Sequence, residues 1–282
     1  MRQPIVSIIV TTRNNTATLD ACLASIATQT YEACELIVVD NNSTDNTKAI
    51  ARRYTTHVYN KGPERSAQRN YAVQKSNGHY VLIIDSDMEL GADVVSACVQ
   101  KVEAGTGVRA LIIPEESFGK GFWAQCKRLE RSFYVGVDTI EAARFFDKEL
   151  YQQVGGYDET LTGGEDWDLT RRIRLHTQIG RIHEFIRHNE GRPHFMRTVR
   201  KMYYYGQHAA EYFSKNPTNS ALTDQSGPLA RYKLFFSKPY RLFKNPAIGV
   251  GMLVLKTSEY ASGALGYARA RSTHSQFSRK GA

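Results

Sequence analysis

Cysteine is scarce in this chain of 282 residues. The four cysteines are scattered without a close pair, at Cys22, Cys34, Cys98 and Cys126. Structural zinc sites and the disulfide frameworks of small secreted domains both need cysteines in closely spaced sets. The spacing therefore excludes these two classes and predicts reduced thiols in or near the core of a cytosolic protein.

Long apolar runs are also missing. A membrane-spanning helix needs about 18 or more consecutive apolar residues, and the nearest candidate is the short run from Pro246 to Leu255, which ends at Lys256. The first four residues, Met-Arg-Gln-Pro, lead directly into a β-rich apolar run and lack the features of a signal peptide. These absences predict a cytoplasmic protein that does not cross a membrane.

Motifs of several other function classes are absent. The chain has no Walker loop, no nucleophile elbow, and no helix-turn-helix, RNP-type or zinc-finger pattern. Residues 105–110 formally match a dinucleotide-binding fingerprint, but they follow a predicted helix and precede a strand predicted at residues 110–113. Pyrophosphate binding requires the opposite order, with the strand first. We therefore expect no nucleic-acid partner and no Rossmann-type dinucleotide site.

Acidic residues become scarce in the second part of the chain. Residues 1–170 contain 17 Lys and Arg against 23 Asp and Glu, whereas residues 171–282 contain 20 Lys and Arg against 5 acids. A basic, aromatic-rich half favours an anionic partner. Residues 231–244 interleave cations with aromatics, as membrane-interfacial segments do. An anionic membrane surface and a pyrophosphate ligand both fit better than nucleic acid, and a solvated basic face is the plain alternative.

The composition otherwise indicates a globular protein with one main domain and an appendage. Hydrophobic residues make up 41% and aromatic residues 11% of the chain, which are globular values. We expect a catalytic domain at residues 1–228. We expect a basic, aromatic-rich helical extension at residues 229–282, which docks on a membrane face without crossing it.

The most informative stretch that is present runs from Tyr80 to Asp87. A hydrophobic, mostly β-branched run leads into Asp85-Ser86-Asp87. The pattern predicts a buried strand that places two carboxylates at its carboxyl end, where open α/β sheets bind ligands. Two acids held so close favour a bound cation, and carboxylate oxygens suit Mg²⁺ or Mn²⁺. A solvated turn after the strand is the alternative.

Two earlier apolar runs follow the same plan. The run at residues 6–12 is followed by Arg13-Asn14-Asn15, and the run at residues 35–40 is followed by a polar segment at residues 41–45. Apolar residues at helical spacing predict a helix within residues 16–28, and further helices are predicted at residues 49–54 and 67–75. Alternating strands and helices, with polar groups at successive strand ends, are typical of a doubly wound α/β sheet.

Five motifs in this order resemble those of family 2 glycosyltransferases, which have the GT-A fold. They are Thr11-Thr12-Arg13-Asn14, the segment from Val39 to Asp45, Arg69-Asn70-Tyr71-Ala72, Asp85-Ser86-Asp87 and Gly164-Glu165-Asp166-Trp167-Asp168. The resemblance covers roughly residues 4–205. One departure is visible, because members often have Asp-Asp-Gly-Ser where this chain has Asp40-Asn41-Asn42-Ser43. The departure weakens any inference about the preferred nucleotide.

The resemblance implies a Rossmann-like, doubly wound mixed sheet of the GT-A type. It also implies inverting, metal-dependent transfer of a sugar from a nucleotide diphosphate sugar to a hydroxyl group of a glycan or a lipid-linked acceptor. In the family, the second acid of the Asp-x-Asp motif binds Mg²⁺ or Mn²⁺, and Asp87 matches it. Asp85 contacts the ribose or the metal. The location consistent with this activity is the cytoplasm, including the inner face of the cell membrane.

The resemblance also implies a set of side chains for the donor. Asp40 matches the residue that receives the nucleotide base, and an acid there fits uracil and guanine alike. Arg69 contacts the diphosphate or the Asp-x-Asp acids, with a surface helix cation as the alternative. The expected donor-binding residues are Thr11, Thr12, Arg13, Asp40, Ser43, Arg69, Asp85 and Ser86.

Glu165 and Asp166 follow the glycine pair Gly163-Gly164, and this pattern predicts a ligand-shaped loop before a helix at residues 167–175. By resemblance, Asp166 is the general base that takes the acceptor proton, and Glu165 contacts the acceptor. Capping of the helix is the structural alternative, chiefly for Asp168. A nucleotide-sugar-binding or nucleotidyltransferase-like protein, which needs no base at Asp166, is the alternative function.

Three histidines lie within residues 183–194, after the acid pair. His188 resembles the histidine that completes the metal or diphosphate site in relatives. His183 and His194 are near enough in sequence to compete for that role. The sequence leaves the choice among the three open.

Overall fold

The structure is a computed structural model, and it describes residues 3–215 and 227–280, with side chains up to residue 208 and from 227 to 271. Its strands are β1 (Val6–Thr12), β2 (Cys34–Asp40), β3 (Val58–Asn60), β4 (Tyr80–Asp85), β5 (Met88–Leu90), β6 (Ala110–Ile112), β7 (Glu115–Phe118), β8 (Ala143–Asp147), β9 (Ile179–Arg181) and β10 (Ile186–Asn189). Its helices are α1 (Leu19–Ala27), α2 (Thr47–Ala51), α3 (Arg65–Lys75), α4 (Val94–Glu103), α5 (Phe122–Tyr134), α6 (Lys148–Gln153), α7 (Glu165–Arg174), α8 (Phe195–Lys215), α9 (Pro228–Ser237), α10 (Pro239–Phe243) and α11 (Pro246–Lys280).

The chain forms two compact units, each assembled from separate segments. The first unit contains Met1–Glu116, Glu141–Thr160 and Glu165–Asn189, and the second contains Ser117–Ile140, Leu161–Gly164 and Glu190–Ala282. The expected boundary between residues 228 and 229 stays a prediction.

A seven-stranded mixed sheet is the centre of the first unit, with the strand order β3-β2-β1-β4-β8-β6-β9. β1 pairs in parallel with both β2 and β4, whereas β8 is antiparallel to β4 and to β6. In this register Thr12 is opposite Asp40, and Thr11 is opposite Asp85. The predicted Rossmann-like mixed sheet is confirmed, and the register brings three strand ends to one edge.

Hydrophobic side chains cover both faces of this sheet. Alternate residues of β1 belong to different clusters, with Ile8 on the face of α1 and α4, and Ile9 on the face of α3, α6 and α7. Successive side chains of a strand point to opposite faces, so a strand covered on both faces is apolar throughout. The rigid sheet therefore supports the polar residues at its edge.

The predicted helices are present, with shifted ends. The helix predicted at residues 49–54 is α2, which begins earlier, at Thr47. The apolar run that begins at Pro246 is the first part of α11, which continues to Lys280. The cysteines are free thiols, and three of the four are buried, in agreement with the prediction. Among the described residues, no helix combines the length and the apolar character needed to cross a membrane.

The second unit is built from helices around a small core. Phe133 of α5, Phe235 of α9 and Leu255 of α11 belong to one buried cluster. A buried ion pair also joins α5 to α11, because Lys256 Nζ lies 2.6 Å from Glu130 Oε1. Burial alone would raise the pKa of Glu130, but Lys256 and Lys127 lower it to about 2. The expected basic helical segments at the C-terminal end are confirmed.

Helices α8 and α11 approach each other closely at glycines. A Cβ added to Gly206 would lie 2.1 Å from the backbone oxygen of Gly263. Ser262 Oγ also donates to the backbone oxygen of Val199, at 2.8 Å. Because only glycine fits such an approach, these positions fix how α8 packs against α11.

Candidate active site

The first unit contains a buried arginine surrounded by three carboxylates. Arg69, on α3, is fully buried. Its Nη2 lies 2.8 Å from Asp85 Oδ1, and its Nη1 lies 3.0 Å from Asp166 Oδ1 and 3.3 Å from Glu165 Oε1. The Arg69 guanidinium also lies 4.8 Å from the ring centroid of Tyr157. Arg69 therefore joins the end of β4 to the start of α7, and the structure excludes a surface position for this cation.

The charges of this cluster shift one another's ionisation. Burial of Asp85 would raise its pKa, but Arg69 and Arg144 outweigh burial and hold the pKa well below its ordinary value. Glu165 is different, because burial and the adjacent Asp166 raise its pKa. A buried charge is tolerated when it is paired. Asp85 is therefore held as a carboxylate, whereas Glu165 binds a proton more readily than an ordinary glutamate.

A turn after α6 positions Asp166. Asn70, next to Arg69, accepts hydrogen bonds from the Tyr157 backbone N–H (2.9 Å) and from Tyr151 Oη (2.7 Å). Gly156 has φ +65°, and a Cβ there would lie 2.6 Å from Asn70 Oδ1. Tyr157 Oη in turn donates to Asp166 Oδ1 at 3.0 Å. The glycine therefore permits the approach that places Tyr157 against the proposed base.

The acid pair lies in a helix, not on the predicted loop. α7 begins at Glu165, so Glu165 and Asp166 occupy its first turn. Carboxylates are favourable there because the first turn of a helix has unpaired N–H groups. Asp168 lies 3.0 Å from Arg171 and 2.8 Å from Arg172, pairs that stabilise the same helix. Asp168 thus has a structural role, while Asp166 is directed to Arg69 and Tyr157.

A second polar group joins Asp87 to His188. β10 pairs antiparallel with β5, so His188 is opposite Met88, and the Asn189 N–H donates to the Asp87 backbone oxygen at 2.8 Å. His188 Nε2 lies 3.3 Å from Asp87 Oδ2, and the Asp87 side chain is 42% exposed. Of the competing histidines, His183 is exposed between β9 and β10.

His194, the other competitor, belongs to the second unit. Among the described residues, no set of three or more His, Cys, Asp or Glu side chains is grouped closely enough to hold a metal ion.

The expected nucleotide-binding residues lie at the edge where β1, β2 and β4 end. Asp40 is fully buried, and its carboxylate accepts from the Ser43 N–H at 2.7 Å and from Ser43 Oγ at 2.5 Å. Ser43 Oγ also accepts from the Asn14 N–H at 2.7 Å. Asp40 and Ser43 thus hold two strand-end loops together. Contact of Asp40 with a nucleobase stays a prediction.

The remaining predicted residues lie at the same edge. Thr11 and Thr12 are buried at the end of β1, and Arg13 is exposed. Ser86 Oγ accepts from Asn15 Nδ2 at 2.8 Å, so this serine joins the Asp-x-Asp turn to the segment before α1. The Thr12 hydroxyl is buried without a hydrogen-bond partner among the described residues. Buried polar groups are almost always paired, and an orphan of this kind at a strand end fits a ligand-binding edge.

Sequence reasoning missed Arg144. This buried residue of β8 places Nε 2.7 Å from Glu115 Oε1 and Nη1 3.8 Å from Asp85 Oδ2. Its signal in the sequence is a single cation inside an otherwise apolar strand, Ala143-Arg144-Phe145-Phe146. A charge at such a position needs a buried partner. Asp85 is therefore held between two guanidinium groups, and not by Arg69 alone.

Replacing Arg69 with methionine is expected to lower the free energy of unfolding by about 3–5 kcal/mol, because the change leaves buried carboxylates without their cation. Urea unfolding would measure the change. Arg53→Met is the matched control, since Arg53 pairs with Asp20 at an exposed site, where a pair contributes about 1 kcal/mol or less. Equal effects of the two substitutions would contradict the central role of Arg69.

Comparison with known proteins places this chain in a family. A model of Glycosyl transferase family 2 matches residues 7–160, which is more than half of the chain. The chain belongs to glycosyltransferase family 2. The family resemblance is thereby confirmed, and the matched range includes the first four of the five motifs, with Arg69, Asp85 and Asp87.

Curated members of the family share part of their length with this chain. The chain is 30% identical over 180 residues to the GalNAc(5)-diNAcBac-PP-undecaprenol beta-1,3-glucosyltransferase of Campylobacter jejuni. The match covers 57% of this chain and 57% of that protein. It is 28% identical over 183 residues to the PGL/p-HBAD biosynthesis glycosyltransferase of Mycobacterium tuberculosis, covering 61% of this chain and 70% of that protein. A 25% identical, uncharacterized protein of Sinorhizobium fredii is much longer, and the chain spans 21% of it.

Solved structures of glycosyltransferases show the same fold. A mannosyltransferase of Pyrobaculum calidifontis, in complex with GDP-Man and Mn²⁺, matches with a TM-score of 0.57 and 21% identity over 98% of this chain and 81% of that chain. TarS residues 1–349 of S. aureus, in complex with UDP-GlcNAc, matches with a TM-score of 0.56 and 18% identity over 96% and 92%. The predicted GT-A fold is confirmed.

Proposed function

We propose that this family 2 protein is an inverting, metal-dependent glycosyltransferase. It moves a sugar from a nucleotide diphosphate sugar to a hydroxyl group of a glycan or a lipid-linked acceptor. The observation that carries the proposal is the assembly of Asp85, Glu165 and Asp166 around the buried Arg69. Asp85 ends the strand of the Asp-x-Asp motif, and Asp166 is the proposed base. One arginine therefore couples the donor side of the site to the acceptor side.

The polar edge formed by β1, β2 and β4 supports donor binding. Thr12 Oγ1 and Arg144 Nη1 are buried without hydrogen-bond partners among the residues described. A polar ligand at this edge would satisfy such groups. We assign the nucleotide sugar to Thr11, Thr12, Arg13, Asp40, Ser43, Arg69, Asp85 and Ser86. The structural relatives bind GDP-Man in one case and UDP-GlcNAc in another, so the fold accommodates either nucleotide.

Asp87 and His188 suit a divalent cation. They offer one carboxylate oxygen and one imidazole nitrogen within 3.3 Å of each other, which is a donor set that Mn²⁺ or Mg²⁺ accepts together with phosphate oxygens. Asp85 fits the metal less well than Asp87, because two arginines already surround its carboxylate. We propose Asp87 and His188 as protein ligands, with Asp85 beside them. The metal would neutralise charge on the diphosphate leaving group.

Asp166 is proposed to remove the proton of the acceptor hydroxyl. Arg69 and Tyr157 both bind Oδ1 of Asp166, and its side chain is 28% exposed. We assign Oδ2, the oxygen that these two hydrogen bonds do not use, to the incoming hydroxyl. The acceptor oxygen forms the new bond to the anomeric carbon as the bond to the diphosphate oxygen breaks. An inverting displacement needs this one base and no covalent nucleophile, and we assign Glu165 to contact with the acceptor.

The name of one relative supports a proposal for the acceptor and the location. The Campylobacter relative is named for a lipid-linked, undecaprenol diphosphate acceptor. We propose an acceptor of that class or a membrane-proximal glycan, reached from the cytoplasmic side at the inner face of the cell membrane. In this proposal residues 1–228 form the catalytic domain, and residues 229–282 form an extension that meets the membrane.

A panel of nucleotides tests the donor class. Thermal unfolding in the presence of Mn²⁺ is expected to shift to higher temperature with one of UDP or GDP, because a ligand of the folded state stabilises it by about 2.7 kcal/mol at 100 times its Kd. The shift should diminish when EDTA replaces Mn²⁺. The absence of a shift with every nucleoside diphosphate would contradict the proposal.

Product analysis separates the proposal from its alternative. A glycosyltransferase releases a nucleoside diphosphate from the nucleotide sugar, whereas a nucleotidyltransferase releases pyrophosphate from a nucleoside triphosphate and a sugar phosphate. Release of pyrophosphate would support the second activity and overturn the first.

A further inference from the structure

We propose that α9 and α10 form a docking surface for anionic lipid headgroups. The surface, called here the C-terminal patch, consists of four apolar or aromatic residues and three lysines: Leu229, Phe236, Tyr240, Phe243, Lys233, Lys238 and Lys244. It deepens the proposed function by naming the part of the chain that brings the enzyme to a lipid-linked acceptor.

One face of α9 and α10 is occupied by the second unit's own core. Arg231 is buried with its guanidinium 4.4 Å from the ring centroid of Tyr134, and Phe235 and Leu242 belong to the core cluster of α5 and α11. Arg241 Nη1 donates to the backbone oxygen of Ser132 at 2.6 Å. These contacts fix which residues of the two helices remain outside.

The opposite face of α9 is exposed. Leu229, Lys233 and Phe236 are spaced at i, i+4 and i+7, which places them on one side of a helix. Leu229 is 80% exposed and Phe236 is 54% exposed. α9 therefore presents apolar groups on both sides of a lysine, at positions that the core does not use.

The short helix α10 extends the exposed surface. Tyr240 and Phe243, at i and i+3, are 66% and 64% exposed, whereas Leu242 between them is buried. Lys238 joins α9 to α10, and Lys244 follows α10 and is exposed. Single exposed apolar residues are ordinary on protein surfaces. Four large ones on two consecutive helices, alternating with lysines, require a partner that accepts both kinds of group.

Charge identifies the chemistry of that partner. Residues 225–258 contain no Asp or Glu, so the cations of the patch have no acid within this stretch. Aromatic rings insert at the level of lipid headgroups while lysines meet anionic lipids. A second copy of this chain is a poorer occupant, because a two-fold interface places the same surface on both sides and would oppose lysine to lysine.

The structure revises one part of the sequence-based expectation for this segment. Arg241 is one of the cations that residues 231–244 interleave with aromatics, and the sequence does not distinguish it from the three lysines. Its guanidinium is instead bound to the Ser132 carbonyl, so Arg241 fastens α10 to α5. The lipid-binding cations of the proposal are therefore Lys233, Lys238 and Lys244.

Co-sedimentation of the full chain with vesicles tests the patch. Vesicles of phosphatidylcholine alone are compared with vesicles that also contain phosphatidylglycerol, across a salt series. Binding is expected to the anionic vesicles only. It should weaken as salt rises, because the screening length falls to about 8 Å at about 0.15 M. The Lys233→Gln, Lys238→Gln and Lys244→Gln triple variant should lower partitioning at low salt about a hundredfold, or about fivefold for each lysine.

Two further variants distinguish docking from simple charge attraction. The first is a control triple variant, which removes the same charge from exposed positions of the first unit: Arg52→Gln, Lys75→Gln and Lys101→Gln. It should sediment like the parent chain. The second, the aromatic variant, combines Phe236→Ser, Tyr240→Ser and Phe243→Ser. It keeps every charge but should lower partitioning into vesicles on the order of tenfold.

Three results would overturn the patch proposal. They are equal losses in the two charge variants, full binding by the aromatic variant, and no sedimentation of the parent chain at low salt. A concentration-dependent dimer that the aromatic variant abolishes, without vesicle binding, would assign the patch to a second copy instead. The sedimentation assay contains neither donor nor acceptor, so a negative result would leave the transferase proposal standing. Loss of nucleotide binding, in turn, would not change the result of the sedimentation assay.

Discussion

Replacing Asp87 with asparagine is expected to remove the dependence of nucleotide binding on Mn²⁺ and nearly all sugar transfer. The substitution keeps the shape of the side chain but removes the charge that a hard cation requires. A metal that stabilises a leaving diphosphate is worth several kcal/mol of transition-state energy, and each 1.36 kcal/mol is tenfold in rate. We therefore expect turnover to fall on the order of 10³-fold or more.

Calorimetric titration of the nucleotide with and without Mn²⁺ would measure this effect. Asp93→Asn is the matched control, because Asp93 is an exposed acid ahead of α4 and lies outside the proposed site. The control should bind the nucleotide as the parent chain does. Metal-dependent affinity that is unchanged in Asp87→Asn would show that the cation is held elsewhere. Loss of the same affinity in His188→Gln would add support for the pairing of these two residues.

The strand ends of the site could be predicted because their signals are local. β1, β2 and β4 are apolar runs that end in polar residues, and parallel pairing brings such ends to one edge. Asp85 and Asp87 were placed correctly beside this edge for that reason. The resemblance implies that Arg69 contacts the diphosphate or the Asp-x-Asp acids, and the structure shows a contact with one of those acids, Asp85.

Other features depend on pairings between distant segments, which no local pattern specifies. His188 was singled out from two competitors only by resemblance, and the antiparallel pairing of β10 with β5 is what brings it to Asp87. Arg144 lies on a strand that enters the sheet beside β4 in the antiparallel sense. Its contact with Asp85 follows from that register, and periodicity alone does not reveal it.

One local expectation is wrong for a physical reason, and one residue has contacts that the sequence alone does not reveal. The acid pair was predicted on a loop, but helix α7 begins at Glu165 because acids are favourable in a first helical turn. Contact of Asp40 with a nucleobase stays a prediction, and the structure adds that the Asp40 carboxylate accepts from the Ser43 N–H and hydroxyl in the same turn. Asp and Ser side chains commonly bond to nearby backbone in this way, so a strand-end acid can shape a loop as well as bind a ligand.

Replacing Asp166 with asparagine is expected to lower turnover by about 10²–10⁴-fold, the usual range for loss of a general base, while donor binding stays close to that of the parent chain. The amide oxygen of asparagine can still accept from Arg69 and from Tyr157 Oη, which both bind Oδ1 in the structure. The cluster around Arg69 should therefore remain folded. The substitution removes the negative charge that pairs with Arg69 and the ability of the side chain to take a proton, while Asp85 and Glu165 remain beside Arg69.

Separate measurements of nucleotide affinity and of diphosphate release from the nucleotide sugar would establish this division. Asp168→Asn is the matched control, because it makes the same change two residues away. It breaks the pairs with Arg171 and Arg172 without touching Arg69. The control should lower thermal stability more than turnover, and Asp166→Asn should do the opposite. Near-normal turnover of Asp166→Asn would move the base to Glu165 or Asp168. If Glu165→Gln then retained turnover as well, a reaction that needs no base at this helix, such as nucleotidyl transfer, would become the better account of the site.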